Sequence, residues 1–166
     1  MDTPPASPLG PSRYFPRAEE ADEHGALCVG GSLDSELLID AYSHGIFPWP
    51  TDDDDPLIWW SPDPRAIFQA DSFRPSRRAL RRLRSGQLVG SIDTDFAGVI
   101  RGCATGPGRQ GETWITPNMI RAYTRLRHAR VAHCVEVRRD GQLVGGVYGV
   151  AIGGLFAAES MFHRHR

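Results

Sequence analysis

The stretch HCVEVRRDGQLVGGVYGVA, residues 133–151, carries the clearest structural signal in the chain. Asp140 and Gly141 both tolerate a positive φ and form the pair that a type I′ turn favours, so the flanking apolar runs read as the two arms of a tight antiparallel hairpin. GLFAAESMF, residues 154–162, follows a glycine pair and reads as one more strand. Working back from the hairpin, Thr116 and Pro117 make an N-cap and first-turn pair. They open a helix with Ile120, Tyr123, Leu126 and Arg127 at helical spacing. Asp95 opens another over DFAGVIRGCA, QLVGSID before it reads as a strand, and Ser76 caps a helix RRALRRLRS that ends at Gly86. RAIFQ, residues 65–69, is expected to be a further strand. Short strands alternating with helices, and a hairpin at the end, predict an α+β or α/β fold whose second half holds a mainly antiparallel sheet.

The first part of the chain reads differently. Residues 1–25 are rich in proline and charge and have no sustained period, which predicts a mobile N-terminal arm. Asp34 is placed to cap a helix whose Leu37, Leu38, Ala41 and Tyr42 share one face, and Gly45 is placed to end it. That helix leads into HGIFPWPTDDDDPLIWWSPDPR, residues 44–65, which holds three of the four tryptophans. Prolines 48, 50, 56, 62 and 64 argue against a helix or a central strand here, so the tryptophans are expected on irregular but stiff backbone. Of the adjacent pair Trp59 and Trp60, one must point inward, whereas Trp49, held by Pro48 and Pro50, is the better candidate for an exposed stacking surface.

Composition narrows the function classes. The net charge is −1, and all nineteen basic residues are arginine, a bias that a GC-rich genome explains without special chemistry. Cys28, Cys103 and Cys134 lack CxxC or metal-ligand spacing, so a reduced, cytosolic setting is expected, with no disulfide framework and no zinc site. No run approaches membrane-spanning length, and the N-terminus lacks the pattern of a secretion signal. The DDDD run at 52–55 reads as solvated acids rather than a cation site. The GPGRQGE loop at 106–112 lacks the ending of a phosphate loop, and no HExxH or G-x-S-x-G motif occurs. Arg77, Arg78, Arg81, Arg82 and Arg84 crowd one short helix, where like charges at i and i+4 repel unless a polyanion lies beside them. Arginines together with tryptophan platforms suggest single-stranded RNA or an RNA end, because stacking on an aromatic ring is worth about 1–3 kcal/mol per base.

Taken as ordered blocks, LCVGGSLDSELLIDAYSHGIFPW, IWWSPDPRAIF, GETWITPNMIRAYTRL and HCVEVRRDGQLVGGVYGVAIGGLFAAESMF closely resemble the bacterial leucyl/phenylalanyl-tRNA–protein transferases, over about residues 26–164. The resemblance implies a small N-terminal domain, residues 26–62, after the arm of residues 1–25. A GNAT-like (N-acetyltransferase-type) catalytic domain with a mainly antiparallel sheet would follow at 63–166. It implies transfer of Leu or Phe, and also Met, from aminoacyl-tRNA to proteins with N-terminal Arg or Lys, marking them for degradation by the N-degron pathway.

By the same resemblance Trp49 and Trp114 meet the terminal adenosine of the tRNA, and Arg77, Arg78, Arg81, Arg82 and Arg84 meet the acceptor stem. Val147, Phe156 and Ala158 form the amino-acid side-chain pocket, with Val147 standing where a longer Met is expected, and Glu159 is the catalytic acid or base. The partners would be leucyl-tRNA, phenylalanyl-tRNA and acceptor proteins. No membrane, metal or cofactor is expected, since the ester bond already carries the free energy for aminolysis.

Family members continue through an alanine-rich helix and a strand with an Asp-Cys-Gln motif, whereas this chain stops at HRHR. It is therefore expected to be truncated, poorly active or inactive, less stable, and left with an unpaired apolar sheet edge. A tRNA-end-binding fragment without catalysis is one alternative. An acyl-CoA-dependent N-acyltransferase is another, disfavoured because no Arg/Gln-x-x-Gly-x-Gly/Ala loop opens a helix here.

Overall fold

The computed structural model describes residues 10–106 and 113–164; the loop at 106–112 falls almost wholly outside them. Two antiparallel sheets share one core. β1 (Ala26–Val29), β2 (Phe47–Pro48) and β3 (Ile58–Trp60) form a three-stranded sheet in the order β1-β3-β2, with α1 (Ser35–Ser43) between β1 and β2. The larger sheet has the order β4-β5-β6-β7, from Val89–Ile92, Ala132–Arg139, Gln142–Ile152 and Leu155–His163. α2 (Arg77–Arg84) precedes β4, and α3 (Phe96–Thr105) and α4 (Pro117–His128) lie between β4 and β5.

Local signals account for most of these elements. Asp140 and Gly141 have φ of 50° and 76°, the signature of the expected type I′ turn. Ser76, Asp95 and Thr116 each accept a backbone N–H three residues on and so cap α2, α3 and α4. At the end of α1, Gly45 takes φ 77° and the Ile46 N–H reaches back to the Ala41 carbonyl at 2.9 Å, a Schellman closure. Asp34 sits at the N-cap of α1 without capping it through its side chain; its carboxylate accepts the Ser32 hydroxyl at 2.5 Å instead.

Two expectations are corrected. Ile58–Trp60 is a central strand despite the prolines around it: Trp59 and Trp60 pair on both sides, Ile58 pairs with β1, and Pro56 and Pro62 lie just outside. Pro48 lies in β2, at the edge of the sheet, where a missing donor costs nothing. RAIFQ is not a strand: its backbone is irregular and Ile67 and Phe68 are 70% and 90% exposed, with no neighbouring edge among the described residues to pair with. Residues 10–25 run along α1 and β3. The Ser12 hydroxyl donates to Asp40 at 2.5 Å, and the Phe15 ring meets Trp59 edge-on at 4.6 Å.

The inner face of the large sheet presents Cys134, Glu136, Tyr148, Val150 and Phe162 to α3 and α4, which bury Val99, Ile100, Cys103, Met119, Tyr123 and Leu126 against it. α1 joins this core through Leu38, Ala41 and Tyr42, and Trp59 closes it with its indole N–H donating to the Gly30 carbonyl at 2.8 Å. On the outer face, Ile92, Val135, Val147 and Met161 form one cross-strand row over all four strands.

Glu136 is the one charged side chain with no exposed surface among the described residues. Its carboxylate accepts the Ser91 hydroxyl at 2.7 Å and the N–H groups of Thr94 and Asp95 at 2.8 Å each, with the Cys134 thiol at 3.0 Å. Burial pushes its pKa up, but these donors together hold it down to about 2, while burial and the neighbouring Glu136 carboxylate push the Cys134 thiol up to about 12. The bonds fix the turn from β4 into α3, where Asp93 has φ 61° and accepts the Cys134 N–H at 2.9 Å. A carboxyl with a depressed folded-state pKa adds stability above its unfolded value, and that stability is lost as pH falls towards the folded value. Urea unfolding is expected to show about 3 kcal/mol of stability lost between about pH 5 and about pH 2 from this group. E136Q should be less stable than the native chain at neutral pH and should show a smaller loss over that range.

Candidate active site

Trp49 follows β2 directly, and its indole stands 52% exposed. Trp114 precedes the cap of α4, and the two rings face each other at 5.6 Å between centroids, tilted by 44°. Two residues 65 positions apart in sequence thus make one aromatic surface, of the kind on which a base can stack. Its position is fixed from both sides. The Trp49 N–H donates to the Ile58 carbonyl at 3.1 Å, and the carboxylate of Asp53 accepts the Asn118 N–H of α4 at 3.1 Å. The acidic run thus contributes a helix-terminal contact to α4, and the negative charge there suits the positive end of the helix dipole.

Beside Trp114, a groove of about 260 Å³ is lined by Val147, Ala158, Glu159, Ser160 and Met161. Glu159 owes its place to a β-bulge: Tyr148 pairs with Ser160 and Gly149 with Ala158, so Glu159 is the extra residue of β7. A bulge turns such a side chain out of the simple alternation of the strand. Here the carboxyl meets Tyr123, whose hydroxyl donates to it at 3.3 Å, and Tyr123 is hydrogen-bonded in turn to Tyr42. Burial pushes the Glu159 pKa up to about 7, against the pull of the Tyr42 and Tyr123 hydroxyls and the positive charge of Arg65. Burial and the Glu159 charge push both tyrosines well above their ordinary value. A carboxyl poised near neutrality can take up or release a proton at physiological pH.

The structure brings Trp49, Trp114, Val147, Ala158 and Glu159 into this one region. Phe156 is 42% exposed and stands over Gly149, away from the groove lining. Arg77, Arg78, Arg81, Arg82 and Arg84 lie on α2, which buries none of its residues and carries its positive charge in solvent. Reading the sequence missed Tyr42, Tyr123 and Arg65 as site residues. The two tyrosines fall at apolar positions of their helices and read as core, which they also are; only the meeting of their hydroxyls with Glu159 distinguishes them. Arg65 ends the WWSPDPR run, beside residues whose roles were clearer.

A carboxyl whose folded-state pKa is raised weakens the fold as it ionises, so its contribution is full below about pH 4 and is lost as pH rises through about 7. E159Q cannot ionise. It should therefore melt at a higher temperature than the native chain above about pH 7, with the gap closing as pH is lowered towards about 5. Thermal melts of both proteins across this range measure it.

The family profile described as leucyl/phenylalanyl-tRNA protein transferase matches residues 67–166, and that of the N-terminal domain of the same transferase matches residues 31–63. Proteins named leucyl/phenylalanyl-tRNA–protein transferase from Solidesulfovibrio magneticus, Pseudomonas putida KT2440 and Shewanella piezotolerans are 53%, 48% and 48% identical to it. These alignments cover 90%, 92% and 90% of this chain and 61%, 68% and 64% of the relatives. The chain thus spans 61% of the length of the Solidesulfovibrio protein. With both profiles matched in order and half the residues identical, the chain belongs to the leucyl/phenylalanyl-tRNA–protein transferase family.

Proposed function

We propose that this protein transfers leucine or phenylalanine, and also methionine, from aminoacyl-tRNA to the N-terminal Arg or Lys of acceptor proteins in the cytoplasm, marking them for the N-degron pathway. The observation that carries the reading is the facing pair Trp49 and Trp114 beside the groove that holds Glu159. The terminal adenosine of the tRNA stacks on the indoles. A tRNA 3′ end is single-stranded, so its bases are free to lie on aromatic rings without any duplex being opened. α2 offers its arginines to the phosphates of the acceptor stem, a contact that carries no sequence information.

The amino-acid side chain enters the apolar end of the groove at Val147 and Ala158, while Phe156 stands off it over Gly149. Burying a Leu or Phe side chain there is worth about 1.5–3 kcal/mol, which excludes polar residues but separates Leu, Phe and Met only weakly. Val147, short and branched, leaves this end open for a larger side chain.

The reaction is attack of the acceptor α-amine on the ester carbonyl, releasing the tRNA hydroxyl. The amine has an ordinary pKa near 7.7–8.0. Glu159, held near 7, takes its proton without a large mismatch in acid strength, and the Tyr42 and Tyr123 hydroxyls steady the resulting carboxylate or carboxylic acid. The division at residues 62 and 63 into a small N-terminal domain and a GNAT-like catalytic domain belongs to the same reading, supported by the antiparallel order β4-β5-β6-β7.

Transfer of labelled leucine from leucyl-tRNA to a peptide beginning with arginine tests it, run with this chain and with the chain extended by the remaining residues of the Pseudomonas relative. W49A is expected to cost about 1–3 kcal/mol of donor binding. E159Q should keep donor affinity and lose about 100-fold in rate. No transfer by either chain, or full activity of E159Q, would overturn the reading.

A further inference from the structure

The row of rings does not end at Trp49. Phe47 lies next, 6.5 Å from Trp49 between centroids, and the guanidinium of Arg65 sits over the Phe47 ring, 4.7 Å from its centroid. A cation over an aromatic face is attracted by the ring's negative quadrupole, which sets the plane of the guanidinium. One of its nitrogens, Nη1, donates to the Gly45 carbonyl at 3.0 Å, which fixes its direction. Arg65 is thus tied to the backbone just before β2 and to a side chain of β2, and it moves with the strand that leads to Trp49.

What the guanidinium lacks is an anion. A guanidinium has five N–H donors in a fixed fork, and the Gly45 carbonyl accepts from one nitrogen only. Among the described residues no carboxylate lies within ion-pair distance of Arg65, whereas Arg127 and Arg138 are each paired with an aspartate. The side chain is exposed, so an incoming anion meets it without displacing a partner. The ring row Phe47, Trp49 and Trp114 links it to the groove, and its charge acts on Glu159 there.

These facts match the chemistry of a nucleotide. A base is flat and apolar on its faces, and one ribose away stands a phosphate, whose two free oxygens accept from the planar fork of an arginine. We propose that Arg65 binds the phosphodiester joining the last two nucleotides of the donor, while the terminal base lies on Trp49 and Trp114. The proposal rests on the reading of the site as one for an aminoacylated RNA end. Its role is distinct from that of the arginines on α2, which face solvent on another element: Arg65 would set where the terminal nucleotide sits along the ring row, and so where the ester carbonyl falls relative to Glu159.

The test uses two non-hydrolysable donors in which an amide replaces the ester, 3′-leucylamido-3′-deoxyadenosine and the same nucleoside carrying a 5′-linked cytidine through a phosphodiester. Binding to the native chain, to R65Q and to R65K is followed by quenching of tryptophan fluorescence. The native chain is expected to bind the dinucleotide about tenfold more tightly than the nucleoside. R65Q should lose that gain while holding the nucleoside within about twofold, and R65K, with the charge but not the fork, should fall between. If R65Q weakens both probes equally, Arg65 only supports the strand and the proposal fails. It fails too if the dinucleotide keeps its advantage in R65Q, or if the native chain shows none. Should the native chain bind neither probe, the reading of the whole site falls along with this one.

Discussion

Glu136 has no contact with water, and a carboxylate so placed must be neutral or fully hydrogen-bonded. It is the second, with partners that come from β4, from the turn that starts α3 and from its own strand. Those bonds hold the first strand of the large sheet to the first helix laid across it. Asp93, one turn away, accepts from Cys134 and from His133 at 2.6 Å and adds a second clasp at the same corner. Once the corner is fixed, α3 and α4 have a defined height over the sheet, and Tyr123 is delivered to the neighbourhood of β7. The distant acid at residue 159 depends on that height, because a hydroxyl displaced by one ångström no longer donates.

The two acids make an instructive contrast. Both lie in the large sheet, and burial pushes both upwards. Glu136 is met by two backbone N–H groups, a hydroxyl and a thiol, which favour its charged form; Glu159 is met by tyrosine hydroxyls and by a more distant arginine, which offset burial only in part. One carboxyl therefore stays ionised across the physiological range, as a structural tie. The other sits where a small change of surroundings changes its charge, which suits a group that must exchange a proton. Environment, rather than residue type, divides the roles.

Much of the fold was legible because it is written locally. The caps at Ser76, Asp95 and Thr116 and the turn at Asp140 and Gly141 act within a few residues, so spacing alone identified them. β3 was not legible, since a three-residue strand between prolines is recognised only by the strands on either side. RAIFQ misled for the converse reason: a good β composition means nothing without an adjacent edge. The bulge at Glu159 needs two strands in register before it exists at all. The site was legible through its tryptophans and through the family blocks. Its tyrosines were hidden, because an apolar ring at a core position carries no sign that its hydroxyl has a second use. Arg65 was hidden by its neighbours: a cation stacked on Phe47 and tied to Gly45 is a relation between residues 18 and 20 positions apart, with no period to betray it.

The hydroxyl pair of Tyr42 and Tyr123 joins α1 to α4, and through Tyr123 to Glu159 on β7. Tyr42 lies in the segment matched by the N-terminal profile, and the other two lie in the segment matched by the second. The acid strength of Glu159 is thus a property of neither segment by itself. Loss of the Tyr42 contact would change both the burial and the hydrogen bonding that set the proton affinity of this carboxyl. The charge on one side chain is thus tied to how the two matched segments pack against each other.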